Sequence, residues 1–490
     1  MKLLKKIPFF LLLLVFFFCL HGSVENYGYL DLSEVLWVGV VISGYVVAFF
    51  FILVILIRNK MLAALITFFT ALWYLFFGAI HDGIKSIGWL HFMHSYSVLL
   101  PLLIVCNVVY IYLLKRRVAF QSKLFFYLNI LLFVYCIFDG ILLLNKHTAD
   151  KNISNTSAVI FDTSKVKAKP NVYFIVLDCY AGYKSLQDSF GFKNDSFYTF
   201  LQQKSFKILP STSNYDFTFY SMASTLNMEY IKGDFENKTA SQKDIQLRFN
   251  DVRNATIFST FSAMGYNIEN YSFFDVQAKK GIYDNSNSFF PLHSFLLLNK
   301  IFHKRLLSDL GWMLHHGRFK IDWLTKEKIY RNDTYNTKAL KLLHASILTP
   351  GTQPKLCYTH LLLPHEPYYK DSLGNYITLT EGAMYNKALY VSYLKYSNSI
   401  IKSTVTSITN KDSAAIIIIM SDHGFNTQKV RYYTPSTYNN VFAVRFPNQK
   451  FDTSINEISN VNFFRYLFNA QFNQKIPYLK DSTIWVKNFY

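Results

Sequence analysis

The sequence has little cysteine. Only five occur in 490 residues, and three of them, Cys19, Cys106 and Cys136, lie inside long apolar runs. The two that remain, Cys179 and Cys357, are too few for the crosslinks on which a disulfide-rich secreted domain depends. The chain must therefore build its cores by apolar packing, for which 51% of its residues are suited.

Acidic residues are also scarce, with 31 Asp and Glu against 50 Lys and Arg, a formal net charge of +19. A basic balance is typical of proteins that meet nucleic acid, an anionic membrane surface or an acidic substrate. The sequence has no zinc-finger spacing, no RNA-binding signature and no continuous basic helix. It also has no internal repeat. We therefore expect a membrane or an acidic substrate, and no nucleic-acid partner.

Long apolar runs dominate the first 145 residues, which we predict to be a transmembrane domain of five helices. The runs lie near residues 7–21, 35–57, 61–80, 97–114 and 123–144. Most approach the roughly 20 residues that a helix needs to cross the hydrocarbon core. The first is shorter and resembles a signal peptide, but small residues suited to cleavage are lacking, which favours an uncleaved helix. Asp139, inside the fifth run, is either a functional carboxyl or a satisfied interhelical contact.

The charges of the loops predict the orientation. Basic residues occupy the amino end, the loop 58–60 and the loop 115–123, whereas the loops between them carry mainly acidic residues. Cytoplasmic loops are enriched in Lys and Arg, so the amino terminus lies inside and everything after residue 145 lies outside. We expect a multi-pass protein of the cell (inner) membrane with an extracytoplasmic domain.

Residues 146–170 are polar, lack periodicity and are interpreted as a linker. The rest of the chain, 171–490, alternates short apolar runs with helical patterns, which predicts one α/β domain. The runs at 172–177, 357–363 and 414–420 have no polar face, as is typical of strands buried on both sides of a parallel sheet. The predicted fold is a membrane bundle followed by an α/β domain with a mostly parallel central sheet.

Side chains that could bind a metal ion or take part in catalysis follow these strands. Asp178 comes directly after the first, His365 soon after the second, and Asp422 and His423 follow the third after a single serine. Ligands of α/β proteins bind beyond the carboxyl ends of the strands, and carboxylate with imidazole suits a divalent metal. Thr218 stands at the start of a predicted helix, where backbone N–H groups favour anions. The structural alternative is a helix cap for Asp178 and Thr218, a capping aspartate for Asp422 and a hydrogen-bonded loop histidine for His423.

The stretch 289–323 mixes apolar residues with Lys and Arg. Such a mixture is typical of a helix lying at a membrane surface. A surface helix pair covering the sheet has the same composition, and both alternatives stay open.

Four segments together resemble the alkaline phosphatase/sulfatase superfamily: VYFIVLD, the threonine at a helix start, HLLLPHEPY and MSDHG. Within it, the chain is similar to membrane-bound phosphotransferases such as lipoteichoic acid synthase and lipid A phosphoethanolamine transferases. Those proteins also join about five membrane helices to an extracytoplasmic domain, so the similarity of architecture covers nearly the whole chain.

The resemblance implies roles for the residues that match. Asp178, Thr218, Asp422 and His423 would hold one divalent metal ion, Zn or Mn, with Thr218 also the nucleophile. His365 matches a histidine on the substrate side and would bind phosphate or protonate the leaving group.

Two departures from the family pattern matter. Where true sulfatases have Cys-x-Pro-Ser-Arg, this chain has Thr218-Phe-Tyr-Ser-Met, with Ser221 as a weak competitor for the nucleophile. Sulfate-ester hydrolysis is therefore not expected. Many relatives also have a second acid after the first, where this chain has Cys179, which favours one metal over two.

The expected function is transfer of a phosphate-bearing head group from a membrane phospholipid or envelope glycolipid to an acceptor in the cell envelope, through a phosphothreonine intermediate. The alternatives are a phosphodiesterase that passes the group to water, and a catalytically silent membrane scaffold. The sequence leaves the donor, the acceptor and the oligomeric state open.

Overall fold

The computed structural model describes residues 6–28, 30–153, 161–231, 240, 242–282, 289–290, 294–316, 322–349, 351–379, 383, 386–425 and 435–486. The chain forms two compact units. One comprises Met1–Thr156 with Asn285–Thr325 and is called the membrane unit below. The other comprises Ser157–Asp284 with Lys326–Tyr490 and is called the α/β unit.

Five helices open the membrane unit. They are α1 (Phe9–Glu25), α2 (Leu32–Ile57), α3 (Lys60–Ser86), α4 (Tyr96–Arg116) and α5 (Val118–Ile153). Within the described ranges, α2 to α5 are long and apolar enough to cross a membrane, whereas α1 has only 17 residues. This bears out the predicted group of apolar helices. Helix α5 continues into the predicted linker 146–170, of which residues 154–160 lie outside the described part, as do Lys2 and Lys5 of the basic amino end.

The carboxyl of Asp139 lies between two of these helices. Its side chain is buried, and Oδ2 is 3.0 Å from Nδ1 of His21 on α1. A buried carboxylate is tolerated where a polar partner meets it. The structure thus shows the interhelical contact, which joins α5 to α1.

A segment distant in sequence completes the membrane unit. It contributes α11 (Phe295–Leu298) and α12 (Phe302–His316). The N–H of Gly78 on α3 donates to Lys300 O at 2.7 Å, and a Cβ on Gly78 would lie 2.7 Å from Asn299 O, so glycine permits this close approach. Leu297 is buried in the apolar core of α1–α3. The segment 289–323, of which 291–293 and 317–321 lie outside the described residues, therefore belongs to the membrane unit, and its place at a membrane surface stays a prediction.

The α/β unit is built on nine short strands in the described part of the chain. They are β1 (Val172–Leu177), β2 (Lys207–Ile208), β3 (Ser211–Thr212), β4 (Asn267–Tyr271), β5 (Lys355–Leu361), β6 (Ile416–Ser421), β7 (Asn439–Asn440), β8 (Phe442–Arg445) and β9 (Ile458–Ser459). Its helices are α6 (Tyr183–Phe190), α7 (Asp195–Gln203), α8 (Thr218–Asn227), α9 (Gln242–Arg253), α10 (Thr256–Ala263), α13 (Asp322–Leu348, from Lys326 in this unit), α14 (Lys387–Lys411), α15 (Pro435–Tyr438) and α16 (Phe463–Gln471).

The central sheet has the strand order β2-β8-β6-β1-β5-β4. Strands β6, β1, β5 and β4 are parallel, whereas β8 pairs antiparallel with β6 on one side and with the edge strand β2 on the other. Strands β7, β3 and β9 form a second small sheet. The α/β class with a mostly parallel central sheet is confirmed. The predicted strand 172–177 has the bounds of β1.

Helices cover both faces of the central sheet. Phe174 and Val176 of β1 pack in one core with Met222 and Leu226 of α8. Ile175 and Leu177, with tyrosines and leucines of α14, belong to the other core. Because successive side chains of a strand point to opposite faces, the residue after Leu177 points to the face that α8 covers.

Candidate active site

Two aspartates stand side by side where the central strands end. Leu177 of β1 pairs with Ser421 of β6, so Asp178 and Asp422 follow at the same level. Asp178 is 2% exposed and Asp422 is fully buried. Burial, and then the nearby Asp422 carboxylate, raises the pKa of Asp178 to about 6. Two carboxylates so placed repel each other unless positive charge lies between them.

His423 directs one ring nitrogen at these carboxylates. Its Nδ1 lies 2.8 Å from Gly424 O, which as a carbonyl must accept, so Nδ1 carries a proton and, in the neutral ring, Nε2 has the lone pair. Nε2 is 3.4 Å from Asp422 Oδ2 and 3.9 Å from Asp178 Oδ1. The backbone N–H groups of Cys179 and His423 donate to Asp422 Oδ1, at 3.2 and 2.8 Å, which leaves Oδ2 to the site.

Thr218 meets this group from the start of α8. Phe217 occupies the N-cap position, so Thr218 is the first helical residue and not the cap. Its Oγ1 is 3.3 Å from His423 Nε2. Ser221, one turn further, donates its hydroxyl to Asp422 O at 2.5 Å and so fixes the loop after β6. The two hydroxyls thus have different surroundings, and only that of Thr218 faces the imidazole nitrogen.

The site has buried acceptor atoms without a hydrogen-bond partner. Among the described residues, Asp178 Oδ1 and Asp422 Oδ2 have none. A carboxylate oxygen buried in this way costs free energy that a bound cation removes. With His423 Nε2 and Thr218 Oγ1, the donor set is mixed oxygen and nitrogen, which suits Zn or Mn. The residues present therefore fit a divalent metal ion.

His360 belongs to the same cluster, although its sequence position did not single it out. It lies within β5, pairs with Val176 and so shares the face of Asp178. Its Nε2 is 3.9 Å from Asp178 Oδ2 and has no hydrogen-bond partner. Burial lowers the pKa of His360 to about 4, so the ring is neutral and able to bind a metal. A histidine inside a fully buried strand was the available signal.

Cys179 also lies within reach of a metal ion at this site. Its backbone has a positive φ of 62°, unusual for a residue with a side chain, and this turns the sulfur inward. Sγ is 3.9 Å from both ring nitrogens of His423. Ligand atoms of Asp178, Cys179 and His423 lie within 4.8 Å of one another, as do those of Asp178, His360 and Asp422. The expectation of one ion stays a prediction.

His365 is half-buried in the loop after β5. Its Nδ1 donates to Glu366 O at 2.6 Å, which leaves Nε2 available. Burial alone would lower the pKa of His365, but the carboxylates of Asp178, Glu366 and Asp422 outweigh it and the pKa is raised to about 9. An imidazolium is therefore favoured beside the carboxylates.

The structure brings together Asp178, Thr218, Asp422 and His423 and places His365 within electrostatic reach of both aspartates. A family model described as "Sulfatase" matches residues 210–471, more than half of the chain. That range contains Thr218, His365, Asp422 and His423, whereas Asp178 precedes it. No curated protein has a sequence that matches this chain significantly.

Solved structures with a similar fold include the C-terminal periplasmic domain of EcEptC from Escherichia coli in a complex with Zn. It is 12% identical, the match covers 64% of this chain and 84% of that chain, and the TM-score is 0.37. Another is BT1596, a 2-O GAG sulfatase, at 11% identity, with 65% and 73% covered and a TM-score of 0.40. These likenesses are too distant to carry an argument about reaction or substrate.

Proposed function

Because the chain belongs to the sulfatase family, we propose that it is a membrane-anchored, metal-dependent phosphotransferase. It would move a phosphate-bearing head group from a membrane phospholipid to an acceptor in the cell envelope. One observation carries the proposal: the hydroxyl of Thr218 lies 3.3 Å from His423 Nε2, in a cluster where two buried carboxylate oxygens, Asp178 Oδ1 and Asp422 Oδ2, have no hydrogen-bond partner.

Phosphate is favoured over sulfate by the residue that would attack. The sulfatase signature Cys-x-Pro-Ser-Arg is replaced by Thr218-Phe-Tyr-Ser-Met, so the residue that true sulfatases convert to formylglycine is absent. A threonine hydroxyl can instead form a phosphate ester directly. The start of α8 presents backbone N–H groups that attract an anion such as phosphate.

Asp178, Asp422, His423 and Thr218 would hold the metal ion through Oδ1, Oδ2, Nε2 and Oγ1 respectively. A bound divalent ion supplies positive charge that lowers the pKa of the threonine hydroxyl and attracts the phosphate. The hydrogen bond from His423 Nδ1 to Gly424 O holds the ring in the tautomer that this requires.

The first step transfers the head group to the protein. Deprotonated Thr218 Oγ1 attacks the phosphorus of the phosphodiester, and the bond from phosphorus to the diacylglycerol oxygen breaks. His365, whose raised pKa favours the protonated ring, gives the departing oxygen its proton. The products are a head-group phosphate ester of Thr218 and free diacylglycerol.

In the second step, an acceptor hydroxyl gives its proton to His365 and attacks the phosphorus. The bond from phosphorus to Thr218 Oγ1 breaks, and both residues return to their starting states. If water takes the place of the acceptor, the same residues perform hydrolysis and the protein is a phosphodiesterase. A catalytically silent scaffold is disfavoured, because nothing in such a protein would maintain two unpartnered buried carboxylate oxygens.

Incubating the full-length protein with phospholipids labelled in the head group tests the proposal. Release of diacylglycerol with the label on an acceptor supports transfer, and label in a free phosphoester supports hydrolysis. Thr218→Ala should lower either rate by at least about 10⁴-fold, as loss of a nucleophile does. Thr225→Ala, which removes a threonine hydroxyl bonded to Ser221 O within the same helix, is the matched control and should retain most activity. No diacylglycerol from any phospholipid would exclude lipid donation.

A further inference from the structure

The inserted segment of the membrane unit is fixed in place by ion pairs. Arg305 on α12 contacts Asp82 at the end of α3, at 2.7 Å, and Asp309 one turn further on, at 3.2 Å. Tyr96 at the start of α4 donates its hydroxyl to Asp309 at 2.5 Å. These contacts hold α12 in one position against α3 and α4.

A groove of about 520 Å³ lies between this segment and helices α2 and α3. Its size falls within the roughly 300–1,000 Å³ range of ligand pockets. Its walls are mainly apolar, formed by Ile42, Val46 and Phe49 of α2, Ala71 of α3, and Leu298 and Ile301 of the inserted segment. The α2 residues occupy the middle of a 26-residue helix that can span a membrane. The groove is therefore at the depth of acyl chains.

Two polar side chains, His303 and Lys304, lie at the edge of the groove. Lys304 Nζ is 5.8 Å from the ring centroid of Phe290, and no acidic partner of Lys304 is found in the described part of the chain. Its neighbour Arg305, by contrast, contacts two carboxylates. One nitrogen of His303 is 2.7 Å from the hydroxyl of Tyr74, which leaves the other for a ligand.

We propose that this groove binds one molecule of an anionic glycerophospholipid, with an acyl chain along α2 and α3 and its phosphate at Lys304 and His303. An acyl chain gains little by moving from the bilayer into an apolar groove, since the two environments are equally apolar. Selection must therefore come from the phosphate. A cation without an acidic partner, held next to apolar walls in a membrane protein, is complementary to that group.

The groove is open to the bilayer along its length. Tyr45 at its rim is 70% exposed and Phe49 is 37% exposed, so a lipid can enter sideways without unfolding either helix. Tyr45 and Tyr74 add two hydroxyls to these apolar walls, and that of Tyr74 lies against His303. The inference concerns binding only and does not depend on the transfer reaction.

Native mass spectrometry of the full-length protein tests the inference. The probes are phosphatidylglycerol, phosphatidylethanolamine and diacylglycerol with the same acyl chains. The protein should retain one phosphatidylglycerol in preference to the other two. Lys304→Gln should weaken that binding about fivefold, the effect of one cation beside anionic lipid. Lys300→Gln removes the same charge from the same segment without touching the groove, and should change nothing.

A second pair of variants tests the acyl-chain site without altering charge. Ala71→Leu fills the groove and should abolish the single retained lipid. Ala79→Leu adds the same bulk at an exposed position of α3 and should leave it unchanged. The proposal would be overturned if, in each pair, the groove variant and its control changed lipid retention equally. It would also be overturned if the protein retained diacylglycerol as well as it retains phosphatidylglycerol. Finding that a second copy of the chain, and not a lipid, binds at the groove would also overturn the proposal.

All binding measurements are made on the Thr218→Ala background, so that turnover does not consume the lipid. Suppose that lipid retention depends on Lys304 but that the wild-type protein forms no ester at Thr218. The lipid-binding groove would then be supported and the proposed function refuted. If a Thr218 ester forms, but lipid binding is unchanged by substitution of Lys304 or Ala71, the proposed function stands and the lipid-binding groove is refuted.

Discussion

Thr218 Oγ1 lies 3.3 Å from His423 Nε2, although the two residues are 205 positions apart in the chain. The contact exists because α8 packs on one face of the central sheet and begins beside the end of β6. His423 Nδ1 is engaged by Gly424 O, so the nitrogen that meets the hydroxyl is the one with a free lone pair. The nitrogen that meets the hydroxyl also lies 3.4 Å from Asp422 Oδ2, one of the carboxylate oxygens without a hydrogen-bond partner.

Replacing Asp422 should remove the metal. Asp422→Asn keeps the shape of the side chain and the acceptor for the N–H groups of Cys179 and His423, but removes a charged ligand. Zinc affinity should fall by more than the roughly 10–100-fold that loss of a supporting residue causes. Elemental analysis and zinc titration of the purified protein measure this. Asp188→Asn, an exposed carboxylate on α6, is the control, and equal metal contents in both variants would remove Asp422 from the site.

Metal affinity should fall as the solution becomes acidic through about pH 6. Burial and Asp422 raise the pKa of Asp178 to about 6 in the metal-free site, so protons compete with the metal below that value. Above it the Asp178 carboxylate is ionised, and a further gain in affinity reports loss of the proton of His423, whose pKa burial lowers but the carboxylates of Asp422 and Asp178 raise overall. Zinc titrations between pH 5 and pH 8 measure the profile. Affinity independent of pH across this range would show that Asp178 is not a ligand.

Much of the site could be predicted from the sequence because buried parallel strands have a recognisable pattern. An uninterrupted apolar run that ends in Asp, or in Asp-His, marks both the strand and its carboxyl end. Strand β1 and the positions of Asp178, Asp422 and His423 followed from that pattern alone. Thr218 was placed at its helix start, but its contact with His423 depends on how α8 packs, which local sequence does not determine.

The place of His360 in the site and the position of the segment 285–325 could not be predicted from the sequence, for different reasons. His360 lies inside a strand, and whether its side chain faces the aspartates depends on the register with β1, here Val176 opposite His360. The segment 285–325 interrupts the sequence of the α/β unit, yet belongs to the membrane unit. Its composition allowed two placements, and only tertiary contacts such as that between Gly78 and Lys300 distinguish them.

His365→Gln should impair departure of a poor leaving group far more than that of a good one. An alkoxide leaving from a phospholipid needs a proton, whereas p-nitrophenolate does not. General-acid catalysis contributes roughly 10²–10⁴-fold, so turnover of lipid should fall by that factor. Release of p-nitrophenolate from a p-nitrophenyl phosphodiester in the first turnover, before the second step needs His365, should fall by less than about tenfold. Equal losses with both substrates would assign His365 to binding phosphate instead.

The orientation predicted by the loop charges puts the α/β unit outside the cytoplasm. A reporter enzyme that is active only outside the cytoplasm should be active when fused after Asn152 and silent when fused after Lys60. Cell-surface or periplasmic reporter assays measure this directly. The reverse pattern would place Asp178 and Thr218 in the cytoplasm, and the envelope acceptor would then be excluded.

Thr218 as the covalent nucleophile is the central claim, and the mass of its peptide tests it most directly. The full-length protein is mixed with a phospholipid, quenched in acid before turnover is complete, and digested. The account predicts that the peptide containing Thr218 gains the mass of phosphate plus head group, that fragmentation places this mass on Thr218 and not on Ser221, and that Thr218→Ala shows none. A lipid substrate turned over with no mass gain on this peptide, or with the gain on Ser221, would contradict it.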